Sequence, residues 1–573
     1  MNRYFLMLAA AFALAACDTA DYQVETASPR ADLVLLNGTV ITVDSEVPDG
    51  NAVAVRDGRI LTVGSSDDVQ ALAGPETRVI DLDGRVVIPG FIEGHGHFLG
   101  LGEAMTILDL QPTTTFEQIV DMVASAAAEA EPGEWIRGRG WHQERWDPLP
   151  EITFDGVATH HALSAVSPDN PVLLTHASGH ASFANARAMA LAGIDRDSED
   201  PQGGTIVRDD QDEPTGFLRQ AAQIPVRQAL AEAERSMTDN ERQARFLRQV
   251  ELAGAEALRH GVTSFHDQGS SFDEIGRLQA LAADGQLPVR LNLAVRGHSN
   301  AEMQQRLSDF RMIGFGDQML TVRAIKIQID GALGTHGAWL LEPYSDKPDT
   351  AGLPQVAPES LRETAAIALE HGFQLNTHAI GDRGNREALD IYQEIFAESD
   401  DNDLRWRIEH AQNLHPDEVP RFAAMGVIAS MQGIHATSDG PWVPQRLGHE
   451  RARERAYVWR SLLDAGAVIC NGTDVPVEPI SPIASYHASV TRLMRHGERF
   501  FPEQAMDRTE ALRSYTIGCA QAVFEEDLLG TITPGKLADL VVLDRNLLTV
   551  TEDELAETQV EMTILGGEIR YQR

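Results

Sequence analysis

The sequence predicts an α/β fold built on an eight-stranded parallel (β/α)8 barrel, with extra structure at both chain ends and one large insertion. Three observations carry this. Eight short apolar runs of strand length recur along the chain, and helical stretches separate them. Metal-competent side chains stand where several of these runs stop, the end at which parallel barrels hold their active sites. The 573 residues, 43% hydrophobic, exceed the roughly 250 that one barrel needs, so further domains are expected.

Residues 1–17 come first. Arg3, the apolar run 4–13 and Leu14-Ala15-Ala16-Cys17 form a short basic-apolar signal peptide ending in a lipobox. The run is too short to span a bilayer stably. It resembles the leaders of bacterial lipoproteins, which implies cleavage before Cys17 and lipidation there. The chain is then an exported lipoprotein, membrane-anchored and facing the periplasm or cell exterior, with residues 18–30 as a polar linker.

Residues 31–87 and 530–573 are expected to form one composite β-sandwich from both chain ends. The segments 32–40, 51–60 and 78–87 alternate apolar residues and carry Asn37-Gly38, Asp57-Gly58 and Asp83-Gly84 turns. Segments 539–544 and 562–571 have the same character and supply their partners.

Residues 88–529 hold the barrel. Its first strand ends in His95-Gly96-His97, and the others read at 261–267, 290–296, 322–330, 373–378, 406–410, 427–431 and 467–473. Segments 240–260 and 360–371 have helical spacing. More than one hundred residues separate the first two strands, too many for a loop. Residues 98–236 are therefore read as an inserted cap subdomain over the barrel mouth, with Trp141 and Trp146 in its local core.

Lys326 is one of three lysines and sits in the apolar run Ala324-Ile325-Lys326-Ile327-Gln328-Ile329. Strand alternation turns Ile325, Ile327 and Ile329 one way and Lys326, Gln328 and Asp330 the other. A lysine buried this way favours its neutral amine, a nucleophile that can form a Schiff base or take up carbon dioxide as a carbamate. The bland alternative lays the stem on the core and leaves the ammonium in water. His95 and His97 share a strand face, and Gly96 between them is expected to leave room for an ion. His378, His410 and Asp474 stand at later strand ends. A lone His-x-His is a weak signal; joined by Lys326 and three more strand-end side chains, it points to a metal site.

On these residues the chain resembles the amidohydrolase superfamily, specifically amidohydrolase family 3 and its N-substituted formamide deformylase-like and D-aminoacylase-like members. The resemblance covers roughly residues 31 to 571. Its motifs are the run 89–97, Asp330-Gly331-Ala332-Leu333-Gly334, His378-Ala379-Ile380-Gly381-Asp382-Arg383, Ile408-Glu409-His410-Ala411-Gln412, Gly472-Thr473-Asp474-Val475-Pro476 and the run 534–540. It implies a TIM barrel holding two divalent metal ions, with zinc expected. His95, His97 and Asp474 would hold the more buried ion, carboxylated Lys326 would bridge, and His378 and His410 would hold the outer one. It also implies hydrolysis of a carbon-nitrogen bond other than a peptide bond, in a small linear amide such as an N-formyl or N-acyl amine. A metal-bridging hydroxide would attack, with Asp474 as general base and then general acid. The alternatives are a mononuclear site with an unmodified lysine, a dipeptidase, cyclic amidase or deaminase of the same superfamily, and a non-catalytic metal-binding lipoprotein.

Three further histidines are candidate substrate contacts. His180 lies in a Ser178-Gly179-His180 run that the family often shares. His336, in Leu333-Gly334-Thr335-His336, stands where relatives carry an arginine, and an imidazole grips a carboxylate less well than a guanidinium fork. If it faces the pocket, acidic substrates are disfavoured. His435, past the seventh strand, is positioned to meet the substrate or its oxyanion, or else solvent. The formal charge of −39, from 86 acidic against 47 basic residues, opposes nucleic acid and favours neutral or cationic substrates. Cys470, on a strand, and Cys519, on a helix, are expected to be buried free thiols. Nothing in the sequence fixes the oligomer.

Overall fold

Eight parallel strands form a nearly closed barrel in the computed structural model, which describes residues 30–143, 146–148, 150, 153–154, 157–176, 181–201 and 204–573. The expected signal peptide with Cys17, the linker up to residue 29, and His180 lie outside the described residues. In order, the barrel strands are Phe91–Gly96, Val262–Ser270, Arg290–Val295, Leu320–Gln328, Gln374–Ala379, Arg407–His410, Ile428–Gln432 and Ile469–Gly472, each paired with the next. All eight fall on the predicted runs. Between the first and last strands, Asp474 N donates to His95 O at 2.7 Å and His97 N to Val475 O at 2.8 Å. That closure sets Asp474 directly beside the His-x-His pair.

The helices between strands start where the sequence supplies caps. Thr238 and Glu241 form a capping box on Asp239–Arg259, and Ser271 and Glu274 do so on Phe272–Ala283. One apolar core lies between strands and helices, joining Phe91, Phe265, Leu293, Ile325 and Ile408 to Ile275, Leu361, Leu389 and Leu462. The barrel interior is instead polar. Asn376 donates to Gln268 Oε1 at 3.0 Å, and the Arg407 guanidinium donates to Gly94 O at 2.7 Å and Ser430 Oγ at 2.8 Å. Buried hydrogen bonds of this kind restrict the rotamers of inward side chains, although Asn376 Oδ1 and Arg407 Nε have no hydrogen-bond partner among the described residues; the candidate ligands stand on top of this network.

Gly96 corrects one expectation. A Cβ there would lie 2.6 Å from Phe265 Cζ and 2.9 Å from Val475 Cγ1. The missing side chain makes room for the barrel–helix layer, whereas His95 and His97 face the other way.

The chain ends build two sheets. One orders Arg59–Gly64, Ala52–Arg56, Ala31–Leu36 and Ala73–Asp81; the other orders Thr39–Val40, Val86–Pro89, Leu540–Leu543, Val560–Leu565 and Glu568–Gln572. In the second, Val86–Pro89 runs antiparallel to Leu540–Leu543, so strands from both termini share it. One buried cluster draws Leu33, Leu35 and Val53 from the first sheet and Val87, Leu540, Val542 and Ile564 from the second. Asp57 and Gly58, both at positive φ, make the tight turn between Ala52–Arg56 and Arg59–Gly64. A buried bidentate pair, Arg290 to Asp539 at 2.7 and 2.9 Å, fastens the second sheet to the barrel.

The insertion has its own six-stranded sheet and its own cores, one containing Trp141, Trp146, Phe116, Phe183 and Phe217. Both tryptophans are core residues, as read. Arg137 and Arg245 share Glu103 and Glu234 at distances from 2.5 to 3.5 Å, tying the insertion's sheet to helix Asp239–Arg259. Among the described residues, no helix is long and apolar enough to cross a membrane.

Cys470 and Cys519 form a disulfide, with Cα atoms 4.4 Å apart, in place of the two free thiols expected. Helix Ile517–Ala522 packs directly behind strand Ile469–Gly472, because Gly518 has no side chain: a Cβ there would meet Ile469 O at 2.5 Å. The bridge closes a 49-residue separation, for which chain entropy gives about 4 kcal/mol. Replacing both cysteines with alanine is therefore expected to lower unfolding free energy by about 2–4 kcal/mol. Chemical denaturation under oxidising and reducing conditions checks this. Equal midpoints for the wild type in both would sink it.

Candidate metal centre

Lys326 reaches the barrel mouth from the fourth strand, in register with Asn376, while Gln328 pairs with His378 on the fifth. Its Nζ lies 3.4 Å from His95 Nε2. Asp474 Oδ1 lies 3.6 Å from His95 Nε2 and 3.4 Å from His97 Nε2. The His410 ring centroid is 4.7 Å from that of His95 and 4.5 Å from that of His378. One ligand atom each from His95, His410 and Asp474 all lie within 4.8 Å of one another. All six candidate ligands thus line one cavity of 370 Å³, of a size for a small molecule. A larger hollow of 840 Å³ between 342–345 and 447–455 holds none of them, so the chemistry, not the volume, marks the site.

His410 and Asp474 adopt positive φ, 75° and 58°. Non-glycine residues there cost about 1–3 kcal/mol and persist where surrounding structure enforces them, commonly at functional sites.

The electrostatics suit cations. Burial pushes the His95 and His378 imidazoles well below their usual range and His410 to about 3, leaving neutral rings with free lone pairs. Burial also lowers Lys326 to about 8, against the pull of Glu409 and Asp474. For Asp474 burial alone would raise the carboxyl; the hydrogen bond with His97 and the neighbouring His410 and His435 outweigh it and hold it at about 2. His378 Nε2 is buried with no hydrogen-bond partner among the described residues, Asp330 Oδ1 standing off at 3.6 Å. An orphaned neutral imidazole among histidines and a carboxylate is a donor set that a divalent metal satisfies. The residues present fit such an ion.

Outer partners aim the rings. His95 Nδ1 faces the Glu409 carboxylate in a short contact, which leaves Nε2 as the lone-pair nitrogen towards Lys326 and Asp474. Glu409 is fully buried and lies 2.7 Å from the Arg407 Nε. Likewise His410 Nδ1 donates to Gln432 Oε1 at 2.7 Å. Glu409→Gln is expected to weaken metal affinity about 10–100-fold, read by titration against a competing chelator. Unchanged affinity would show that Glu409 does not orient His95.

His435 lines the cavity, buried and parallel to His410 at 6.3 Å, with its Nε2 unpartnered among the described residues. His336 does not line it. At φ 59° it turns away, and its Nε2 meets Asp346 Oδ1 at 3.1 Å. The condition under which it would disfavour acidic substrates is therefore not met. No described residue of the insertion lines the cavity either. Sequence reasoning missed Arg296, Gln328, Gln412, Asp439, Trp442 and Glu478 in the lining. Gln328 ends the fourth strand and Arg296 directly follows the third, so the strand-end rule that gave the candidate ligands could have found them too.

The chain is similar to known proteins along most of its length. Residues 78–571 match the model of the amidohydrolase family, family 3. The Arabidopsis thaliana protein LONG AFTER FAR-RED 3 is 34% identical over 94% of this chain and 92% of its own length. The N-substituted formamide deformylase of Arthrobacter pascens is 30% identical, covering 95% of this chain and 98% of its own. The crystal structure of an uncharacterized metal-dependent hydrolase from Pyrococcus furiosus superimposes with a TM-score of 0.72 at 28% identity, over 90% of this chain and 100% of that one.

Proposed function

The chain belongs to the amidohydrolase family and is a hydrolase acting on carbon-nitrogen bonds, and from that premise we propose that it cleaves a linear amide, an N-formyl or N-acyl amine, at the cavity described above. The observation that carries this reading is the convergence of His95, His97, Lys326, His378, His410 and Asp474 on one cavity. His95, His97 and Asp474 would hold one ion and His378 and His410 a second, zinc being the expected metal, and Lys326, as a carbamate, would contribute an anionic ligand to the site. Divalent ions bound there supply Lewis acidity and make water nucleophilic near neutral pH.

The protein's own groups do the rest. Asp474, an ionised carboxylate against His97, takes a proton from the attacking water and passes it to the departing amine nitrogen. Its low proton affinity favours release to a more basic nitrogen over retention. The insertion is read as the cap and the two terminal sheets as a composite sandwich of structural role. The Cys470–Cys519 disulfide supports an oxidising, exported location, with Cys17 as the lipid anchor. Cys17→Ala should then move the protein from membrane to soluble fractions.

The deciding experiment is metal content per chain with intact mass under carbamate-preserving conditions, run beside hydrolysis of N-formyl and N-acyl amines. Two ions, the carbamate mass and turnover support the reading. One ion with turnover moves it to the mononuclear alternative, and full loading with no turnover on a broad amide panel overturns it.

A further inference from the structure

Arg296 directly follows the third barrel strand and lines the cavity with Lys326 and His378. Its stem crosses Gly269, at φ 144°, where a Cβ would lie 2.3 Å from Arg296 Cδ and 2.9 Å from its Cβ. Only glycine at 269 leaves this course open. At the tip, Nη2 meets Gln328 Oε1 at 3.4 Å, the outer limit of a hydrogen bond. The Gln328 amide is turned that way because its Nε2 donates to Asp330 O at 3.1 Å. Among the described residues Arg296 makes no ion pair, in a chain with 86 acidic residues against 47 basic ones. Elsewhere in and around the barrel Arg407 pairs with Glu409, Arg446 with Asp346 and Arg455 with Asp382, while Arg383, past the fifth strand, lies over the Trp339 ring.

A cradled guanidinium with most of its donors unused is a bidentate receptor for a planar oxyanion. We propose that Arg296 receives a carboxylate of the substrate, so that the amide cleaved here carries an acidic group on its amine or acyl part. This rests on the amide-hydrolase reading of the same cavity. There is room for that group: Arg296, Lys326 and Gln328 also line an adjoining hollow of 560 Å³, whose one lining carboxylate, Glu363, accepts from Asn300 Nδ2 at 2.9 Å. The acidic surface does not oppose it, because salt screens surface charge beyond about 8–10 Å, whereas Arg296 acts in contact. The same carboxylate chemistry could instead come from a carbamate on Lys326, and the experiment separates the two sources.

The test uses the metal-loaded soluble chain and matched probes: N-formylglycine, N-formyl-β-alanine and N-formyl-γ-aminobutyrate, each with its carboxamide. Calorimetry gives Kd and a parallel assay gives hydrolysis. At least one acid is expected to bind about tenfold or more tighter than its carboxamide, the scale of a hydrogen-bonded charge. Arg296→Gln should bring that ratio to near one while metal content holds, and Arg296→Lys, which keeps the charge without the fork, should retain part of it. A ratio near one across the wild-type series overturns the proposal. So does Arg296→Gln losing metal and the carbamate mass with the ratio unchanged, which would assign the guanidinium to Lys326. Acids bound selectively but never cleaved would keep the subsite and sink the hydrolase reading; cleavage without acid preference would do the reverse.

Discussion

Asp474→Asn is expected to lower kcat/KM on any cleaved amide by about a thousandfold, inside the range of about 10²–10⁴ that a positioned acid–base group contributes. The substitution keeps an oxygen facing the site but removes the charge and the proton carrier. In the structure that oxygen sits 3.4 Å from His97 Nε2 and 3.6 Å from His95 Nε2, on a backbone held at φ 58°. Asparagine should tolerate this conformation better than most residues, so the loss should appear in chemistry with little change in folding. Rates must be normalised to bound metal, because Asp474 is also an assigned ligand. A variant keeping wild-type kcat/KM per bound ion would remove Asp474 from proton transfer.

The strands were legible because each is a short apolar run bounded by turn residues, and a parallel barrel buries both faces of such runs. His95, His97, Lys326, His378, His410 and Asp474 were legible for a related reason: polar side chains that end apolar strands stand out. What the sequence hides depends on closure. Glu409 sits next to His410 in the chain, yet the ring it meets is that of His95, more than three hundred residues earlier. Strand alternation sends Glu409 and His410 to different partners, and only the closed barrel brings the first strand within reach. The disulfide is hidden likewise, since strand and helix cysteines pair only after Gly518 lets the helix onto the strand. His336 misled because the family comparison fixes its position in the chain and not the positive φ that turns it to Asp346. Arg296 is one arginine among many, and what singles it out, the lack of a carboxylate partner among the described residues, is something a sequence cannot display.

Lys326→Ala is expected to reduce activity by at least about a thousandfold, the scale of losing a group that several others depend on, and to cost the site its bound metal. The physical problem at this position is charge. Lys326 is buried beside neutral imidazoles, 3.4 Å from His95 Nε2, with Arg296 and Arg407 nearby, and an ammonium there would repel divalent cations. Two unit charges 4 Å apart interact by about 4 kcal/mol at an effective dielectric of 20. Converting the ammonium to a carbamate, by loss of two protons and addition of carbon dioxide, would change its charge from +1 to −1 and turn repulsion of a bound cation into attraction. Burial prepares the change by lowering the amine to about 8, so roughly a tenth is neutral and nucleophilic at pH 7. The sign follows: the neutral amine reacts, so reconstitution of metal-depleted wild type at fixed dissolved carbon dioxide should quicken as pH rises from 7 and level off above about 8. Alanine offers no nitrogen to carboxylate, so added bicarbonate should not rescue the variant. Full activity with two bound ions in Lys326→Ala would overturn the bridging role, and activity with a single ion would identify a mononuclear enzyme in which His95, His97 and Asp474 suffice.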